Sequence, residues 1–501
     1  MMNMKQLNKL ASYLMIVVAA LIVSSCKKKA DEIPDNADPK LLTFGFYAED
    51  NEDNLFRDYV VSSVTGNAFQ IELPKETDKT QLVARFTTSD NVTVTVAGVP
   101  QQSGVTKNNF SAPVDYIVTE GKTNARYTVT IANAADYVWT RVGAYTDQVV
   151  LDFKMAIHPT SHAPYFLYSL SNSDTDLRKA HATKYENSSW TALGGALSDG
   201  RIATELAMVF NAQGKLFVSF PDYATTPAQA PIVQSYDGSS WSVVGGGPVF
   251  PAAVSYTTMA INPTNNQPIL FNQISDRNYT IPRRATVYSH FNGTAWNTGN
   301  RVTGREDGLV GGIMKSKTVG DAVYLAIYNA TNPSTYSVYK LQNNLWTTIV
   351  DQTLEEGATG LYVRDFDMDV DQDGNIYIAA GDNASGAYKP RVKKYNVSTQ
   401  TWSQVGSVIE VDQSVVNSRY YNVAVAPNGV VHIFYRNEQG FPTVQTFDSD
   451  TQDWRSPVVL ESVSTKGAFV SLDFATDGTG YASYISEADN IVLYKYDAPA
   501  N

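Results

Sequence analysis

The chain has one cysteine and five histidines, and it carries fewer basic than acidic residues. A lone thiol, Cys26, cannot form an internal disulfide, so the fold must be held by packing. There are 38 Lys and Arg against 50 Asp and Glu, giving a net charge of -12 and a pI near 5.0. That balance argues against a generic electrostatic grip on nucleic acid, which relies on basic surface to displace counterions. Beyond the first 25 residues no run is long and apolar enough to span a bilayer. Helical periodicity is also missing, whereas short alternating runs rich in Val, Thr, Tyr and Phe recur along the chain. With 501 residues, 43% of them hydrophobic, two or more folded units with substantial cores are expected. The expected class is all-β.

Residues 1–25 read as a targeting segment: Lys5 and Lys9 supply the positive start, and "LMIVVAALIV" (14–23) supplies the apolar stretch. The segment ends in "VSSC", two small residues before Cys26, and so resembles the lipobox of bacterial lipoproteins. The resemblance implies cleavage before Cys26 and acylation of its thiol and new terminus, several chains giving stable anchorage where one would be marginal. The location it implies is the outer membrane, facing the cell surface. An ordinary secretory peptide with an incidental cysteine is the alternative. Residues 26–39, with "KKKADEIPDNADPK" after the cysteine, are charged and contain proline, as a flexible tether does.

From residue 40 to 133 the chain alternates β-type runs with turn residues: "FQIELP", "QLVARFTTS", "VTVTVAG", "VDYIVT" and "ARYTVTIA". A small antiparallel sandwich is the solution these runs favour. The phrases "LPKETDKTQLVARFTTSDNVTVTVAG", "SGVTKNNFSAPVDYIVT" and "YTVTI" resemble the Ig-like module at the base of surface lipoproteins of glycan-foraging Gram-negative bacteria. That resemblance implies a spacer without chemistry of its own.

The seven tryptophans stand at 139, 190, 241, 296, 346, 402 and 454, at spacings of 51, 51, 55, 50, 56 and 52 residues. Most close a recurring phrase, such as "YENSSW", "YDGSSW", "FNGTAW" and "LQNNLW". A repeat near 50 residues built of short β-runs is the signature of a propeller blade. Each unit parses as an inner hairpin ("LAMVFNAQGKLFVSF") followed by an outer hairpin that ends in the Trp-led strand. The unit "GGIMKSKTVGDAVYLAIY" fits less well. The first Trp-led strand lacks a hairpin before it, and the last hairpin lacks a Trp-led strand after it. Residues 137–501 therefore predict a seven-bladed propeller closed by its N- and C-terminal strands, which removes the open sheet edge. In this frame "YDGSSW" is an outer turn, with Gly or Asn where positive φ is needed and Trp packing between blades. It resembles the Asp-box of sialidases, itself a turn device, but lacks one residue between Asp and Gly.

Three candidate sites emerge. His158 and His162 in "HPTSHAP" would suit zinc on a helix, but they lie in an inner turn, where a role as metal ligands is not expected. Asp369, Asp371, Asp373 and Gly374 match the start of a D-x-D-x-D-G calcium loop. Position nine is Tyr377 and position twelve is Ala380, so the later ligands of that loop are missing. No cofactor is expected from the sequence unless this run binds calcium, and an acidic turn without metal is the alternative. The third site lies on the opposite face, where connections between blades converge. There Arg201, Arg305, Arg364 and Arg419 precede inner strands, with Glu205, Tyr256, Asp365, Tyr420 and Tyr421 nearby. Guanidinium groups beside carboxylates and tyrosines suit an anionic or polyhydroxylated ligand, or else form a salt-bridge lattice between blades.

The function expected from these features is that of a surface-anchored, non-catalytic binding protein capturing a glycan or a protein partner on one propeller face, without nucleic acid. The alternatives are a glycan-active propeller enzyme, sialidase-, lyase- or hydrolase-like, or a scaffold subunit of an outer-membrane complex. No nucleophile–base pair, HExxH-type site or carboxylate couple can be named from the sequence to favour the enzyme.

Overall fold

The computed structural model describes residues 39–497 apart from positions 53, 56, 76, 135 and 148 and the segments 171–177, 203–205, 306–310, 330–334, 354–365, 383–388 and 412–420. These residues divide into two compact units. One holds the described residues up to Asn51 together with Asp58–Asn133, and the other holds those of Glu52–Arg57 and Ala134–Asn501. Among the described residues the regular structure is strand, with two short 3₁₀ turns. Among the described residues no helix is long and apolar enough to cross a membrane.

In the first unit a sheet ordered Tyr59–Val61, Leu41–Phe46, Arg85–Thr88 faces a second sheet of five strands. The aromatic rings Phe44, Phe46, Phe110 and Tyr116, all fully buried, join the two. Phe44 meets Tyr116 edge-to-face at 5.0 Å, a geometry that adds quadrupole attraction to area burial. The expected all-antiparallel pattern needs one correction, because Ala68–Leu73 runs parallel to Thr123–Asn133. The long strand Thr123–Asn133 has its antiparallel partner, Val114–Glu120, on one edge. Its other edge takes up a strand that arrives from the same end.

Among its described residues the second unit contains seven sheets. The first consists of Val150–Ile157, Pro164–Leu170, Ala180–Glu186 and Ser189–Ala192, each antiparallel to the next. The next five repeat the plan with inner strands Ala207–Phe210, Val254–Asn262, Gly311–Val319, Phe366–Val370 and Asn422–Val425. The seventh joins Thr465–Phe474, Gly480–Ser486 and Ile491–Asp497 to Val138–Tyr145, so that Trp139 stands opposite Tyr496. Successive inner strands lie side by side, and that of the seventh sheet also lies against that of the first. The architecture is that of a β-propeller. Apolar clusters fill the spaces between neighbouring sheets.

The recurring phrase forms the outer hairpins. In "YDGSSW" the Asp237 carboxylate accepts the Ser239 and Ser240 backbone N–H groups, each at 2.9 Å, and Gly238 has φ +99°. Asn292 and Asn396 cap their turns in the same way. In "YENSSW" and "LQNNLW" the turn is instead two residues in the left-handed region, Asn187–Ser188 and Asn343–Asn344, as tight hairpins require. Each tryptophan is half-buried. Trp241 donates its indole N–H to Leu193 O at 2.6 Å, Trp296 to Val244 O at 2.9 Å and Trp454 to Ser407 O at 2.9 Å. These carbonyls belong to the preceding sheet's outer edge. Beside each lies a positive-φ glycine, Gly194, Gly245 or Gly406, four residues after the preceding tryptophan. The motif W-x-x-x-G thus leaves room for the next sheet's indole.

The poorly fitting fourth unit forms a normal inner hairpin, Gly311–Val319 with Ala322–Asn329, around a two-residue turn. Its inner strand departs from the apolar pattern because Lys315 and Lys317 are used elsewhere.

Candidate functional site: the axial cavity

Inner strands from all seven sheets line one cavity of about 920 Å³. An inner strand is a sheet edge, and its unpaired N–H and C=O groups need partners. Side chains from the adjacent strand supply several of them. Asp367 accepts the Val423 N–H at 3.0 Å and the Asn422 side-chain amide at 2.5 Å. Asp369 accepts the Val425 N–H at 2.7 Å, and Asn422 Oδ1 accepts the Leu472 N–H at 2.8 Å. Thr318 Oγ1 both accepts the Ile261 N–H at 3.0 Å and donates to Ile261 O at 2.7 Å. Two lysines complete the charges: Lys315 pairs with Asp367 at 2.8 Å, and Lys317 pairs with Asp369.

Asp473 is different. Among the described residues its carboxylate has one hydrogen bond, in which Oδ1 accepts the N–H of the next residue, Phe474, at 2.9 Å. Burial pushes its carboxyl up to about 6, against the opposing pull of Lys317. For Lys317, burial works to lower the pKa. The carboxylates of Asp369, Asp473 and Asp367 outweigh that, and the ammonium stands above the ordinary lysine value. Lys154 lines the same cavity, is exposed, and has no ion-pair or hydrogen-bond partner for its ammonium among the described residues.

Of the residues singled out in the sequence, Tyr256 lines the cavity. It is the extra residue of a β-bulge between Ser255 and Thr257, with φ +49° and 37% exposure. Bulges re-aim side chains at sheet edges and sites, and a non-glycine residue in the left-handed region carries a conformational cost. Register shifts also occur in the inner strands of the first, fourth and seventh sheets. Arg201 stacks over the Tyr223 ring at 4.2 Å, and Arg305 donates to Asn329 Oδ1 at 2.8 Å. Neither lines the cavity. Tyr421 is buried in its wall. Cys26, Glu205, Arg364, Asp365, Arg419 and Tyr420 lie outside the described residues.

The D-x-D-x-D-G run is split between two environments. Asp369 lies on the inner strand facing Lys317, while Asp371 caps the following turn through Asn375 N at 2.8 Å and Tyr377 Oη at 3.1 Å. Asp373 is exposed at the tip of the turn. His158 Nδ1 accepts the Thr160 and Ser161 N–H groups at 3.1 Å, and His162 Nδ1 lies 2.9 Å from Asp477 in the seventh sheet's inner turn. Among the described residues no group of three or more His, Cys, Asp or Glu is placed to hold a metal ion.

Sequence reasoning missed the lysines and the role of Asp367. Their signal was the spacing in "MKSKTV" and "FDMDV". Charges at alternate positions of an otherwise buried strand share one side, and the two runs occupy inner strands of adjacent sheets.

No curated protein matches the chain. Solved structures that resemble it include the polysaccharide lyase Uly1, at 10% identity and a TM-score of 0.46 over 73% of this chain and 92% of that one. A PL25 ulvan lyase, bound to a glucuronate–sulfated rhamnose unit, gives 12% and 0.45 over 71% and 95%. The fucose-specific lectin of Aleuria aurantia gives 10% and 0.40 over 59% and 94%. Likeness at this level says nothing of ligand or reaction. Residues 59–131 match the family described as SGBP, N-terminal, the N-terminal part of glycan-binding surface proteins.

Proposed function

We propose that this chain is a non-catalytic glycan-binding protein of the bacterial cell surface, anchored in the outer membrane by lipid on Cys26. Residues 40–133 serve as an Ig-like spacer, and residues 137–501 form a seven-bladed propeller closed by pairing Val138–Tyr145 with Ile491–Asp497. The ligand-bearing face is the one at which the inner strands begin. Arg201, Arg305, Arg364 and Arg419 precede those strands there, and Tyr256 opens into the cavity.

The observation that carries this reading is the match of residues 59–131 to the N-terminal domain of SGBP proteins. The arrangement of charge agrees with it. Asp367 and Asp369 are each held by a lysine and by backbone N–H groups, which leaves them poorly placed to exchange protons. The one observation on the side of a glycan-active enzyme is Asp473, whose raised pKa is a property of a general acid. Among the described lining residues no second carboxylate is free to act as its complement, and glycoside hydrolysis generally needs two.

The test uses cells that produce the chain and matched cells that do not, incubated with fluorescent soluble polysaccharides. Producing cells should retain at least one polysaccharide, and the Cys26→Ser variant should release the binding activity from the membrane fraction. Equal retention by both cell types, or shortening of the retained polysaccharide by purified chain, would reject the proposal.

A further inference from the structure

The chain as a whole carries more acid than base, yet residues 275–305 reverse that balance, with five arginines against one aspartate and no lysine or glutamate. Three of the arginines stand in one loop. Residues 275–285 connect Gln267–Ile274 to Thr286–Phe291 in the third sheet, and because Val254 pairs with Ile274, the loop lies at the end where the inner strand begins. That is the face assigned above to the ligand. Apolar contacts hold the loop: Tyr279 meets the Phe250 ring edge-to-face at 5.1 Å, and Tyr279 and Ile281 both pack on the buried cluster that includes Phe250, Val254 and Ile274. Gly299 permits the close approach, since a Cβ there would stand 3.1 Å from Phe250 Cε2 and 3.8 Å from Ile281 Cδ1.

The arginines take no part in that anchorage. Arg277, Arg283 and Arg284 are exposed, and among the described residues their guanidinium groups have no ion-pair or hydrogen-bond partner. Backbone bonds nonetheless fix Arg284, whose N–H donates to Ile274 O at 2.7 Å and whose carbonyl accepts the Gly311 N–H at 3.3 Å and the Gln273 side-chain amide at 3.2 Å. Its φ is +67°, a left-handed value that costs an L-residue energy. The loop thus keeps an arginine where glycine or asparagine would be at ease. Arg301 and Arg305 extend the positive surface. Arg301 stands opposite Val287, just beyond the loop, and Arg305 Nη2 lies 3.3 Å from the place a Cβ on Gly311 would take, the same Gly311 that binds Arg284 O. Both are engaged within the fold, Arg305 with Asn329 Oδ1, so the three loop arginines are the ones a ligand meets.

Positive charge gathered on one loop of an acidic protein focuses an attractive field on anions that the rest of the surface repels. Planar guanidinium groups turn that attraction into recognition, because each presents paired N–H donors to two oxygens of a carboxylate or a sulfate. On the reading that the protein binds a glycan, we infer that the 275–285 loop of the third sheet is its site for an oxyanion carried by that glycan, a carboxylate or a sulfate, with Arg277, Arg283 and Arg284 as the donors.

The experiment is affinity electrophoresis of the chain expressed from Lys27 onward, at about 0.15 M salt, in gels containing a sulfated polymer (carrageenan or heparin), a uronic acid polymer (polygalacturonate or alginate) or a neutral one (laminarin or galactomannan). At least one acidic polymer should retard the protein. Retardation by the sulfated polymers alone assigns sulfate, and by the uronic acid polymers alone carboxylate. Arg277→Ala, Arg283→Ala and Arg284→Ala combined should weaken the interaction by about tenfold or more, with the melting temperature of the parent. Arg277→Ala with Arg283→Ala spares the strained position, should also weaken the interaction, and is the deciding variant where the triple one melts early. Retardation by neutral polymers alone would overturn the inference and leave the glycan-binding proposal standing. So would equal retardation of parent and folded variants, the result expected if Glu306 and Asp307, next in the sequence, neutralise the cluster. Duplex DNA bound as tightly as the acidic polymer would overturn it as well, because the loop would then take any polyanion. Absence of retardation in every gel would overturn both.

Discussion

The seams between sheets can be tested with two adjacent glycines that differ in one respect. Gly245 and Gly246 both have positive φ, +81° and +78°. A Cβ added at Gly246 meets nothing within 4 Å, whereas one at Gly245 would lie 2.5 Å from Trp296 Cδ1 and 2.7 Å from its Nε1. Gly246→Ala therefore incurs only the left-handed backbone cost, about 1–2 kcal/mol. Gly245→Ala incurs that cost, about 1–3 kcal/mol of overpacking, and the loss of the Trp296 indole bond to Val244 O, about 1 kcal/mol. The two variants should differ by about 2–4 kcal/mol. Urea titrations of the whole chain, followed by tryptophan fluorescence and near-UV circular dichroism, would measure the difference as a shift in midpoint at constant slope. Equal midpoints for the two variants would refute the claim that W-x-x-x-G makes room for the next sheet's indole.

Two further predictions address closure and the cavity. Deleting residues 138–145 should expose the Ile491–Asp497 edge and turn the unit into an aggregating species; a soluble, cooperatively melting deletion would argue against closure by this strand. Asp473 has a folded-state pKa raised to about 6 by burial. Its favourable contribution is therefore complete below the unfolded carboxylate range and is lost as pH rises through about 6. Asp473→Asn should accordingly raise the melting temperature at pH 8, with the gain fading between pH 6 and pH 4, and a gain independent of pH would contradict the assignment.

How far the sequence could be read depended on which interactions a residue pattern encodes. The tryptophan register and the turn chemistry are local, so "YDGSSW" and "LQNNLW" announce their hairpins directly. The strand Tyr59–Val61 is too short, at three residues, to show a pattern, and Leu41–Phe46, "LLTFGF", is buried at consecutive positions and does not alternate. The parallel pairing of Ala68–Leu73 with Thr123–Asn133 depends on contacts about 60 residues apart, which no local pattern records. The site suffered most. "DFDMDVDQDG" reads as one acidic loop motif, yet the ladder ends at Val370 opposite Ile376. That boundary assigns Asp367 and Asp369 to a strand facing lysines and leaves Asp371 and Asp373 in a turn. The lysines that answer them are about 50 residues upstream, and only the radial arrangement of the sheets brings the two sets together. Tyr256 could be named from the sequence as a residue near the mouth of the propeller, but the bulge that aims it could not.

The central claim is that this is a binding protein for glycans and not an enzyme acting on them. A glycan array probed with the chain from Lys27 onward, followed by product analysis of every positive glycan after prolonged incubation, tests both halves together. The account predicts saturable binding to at least one glycan, recovered at its original length. New reducing ends or unsaturated products from any bound glycan, or an array without a single positive, would contradict it.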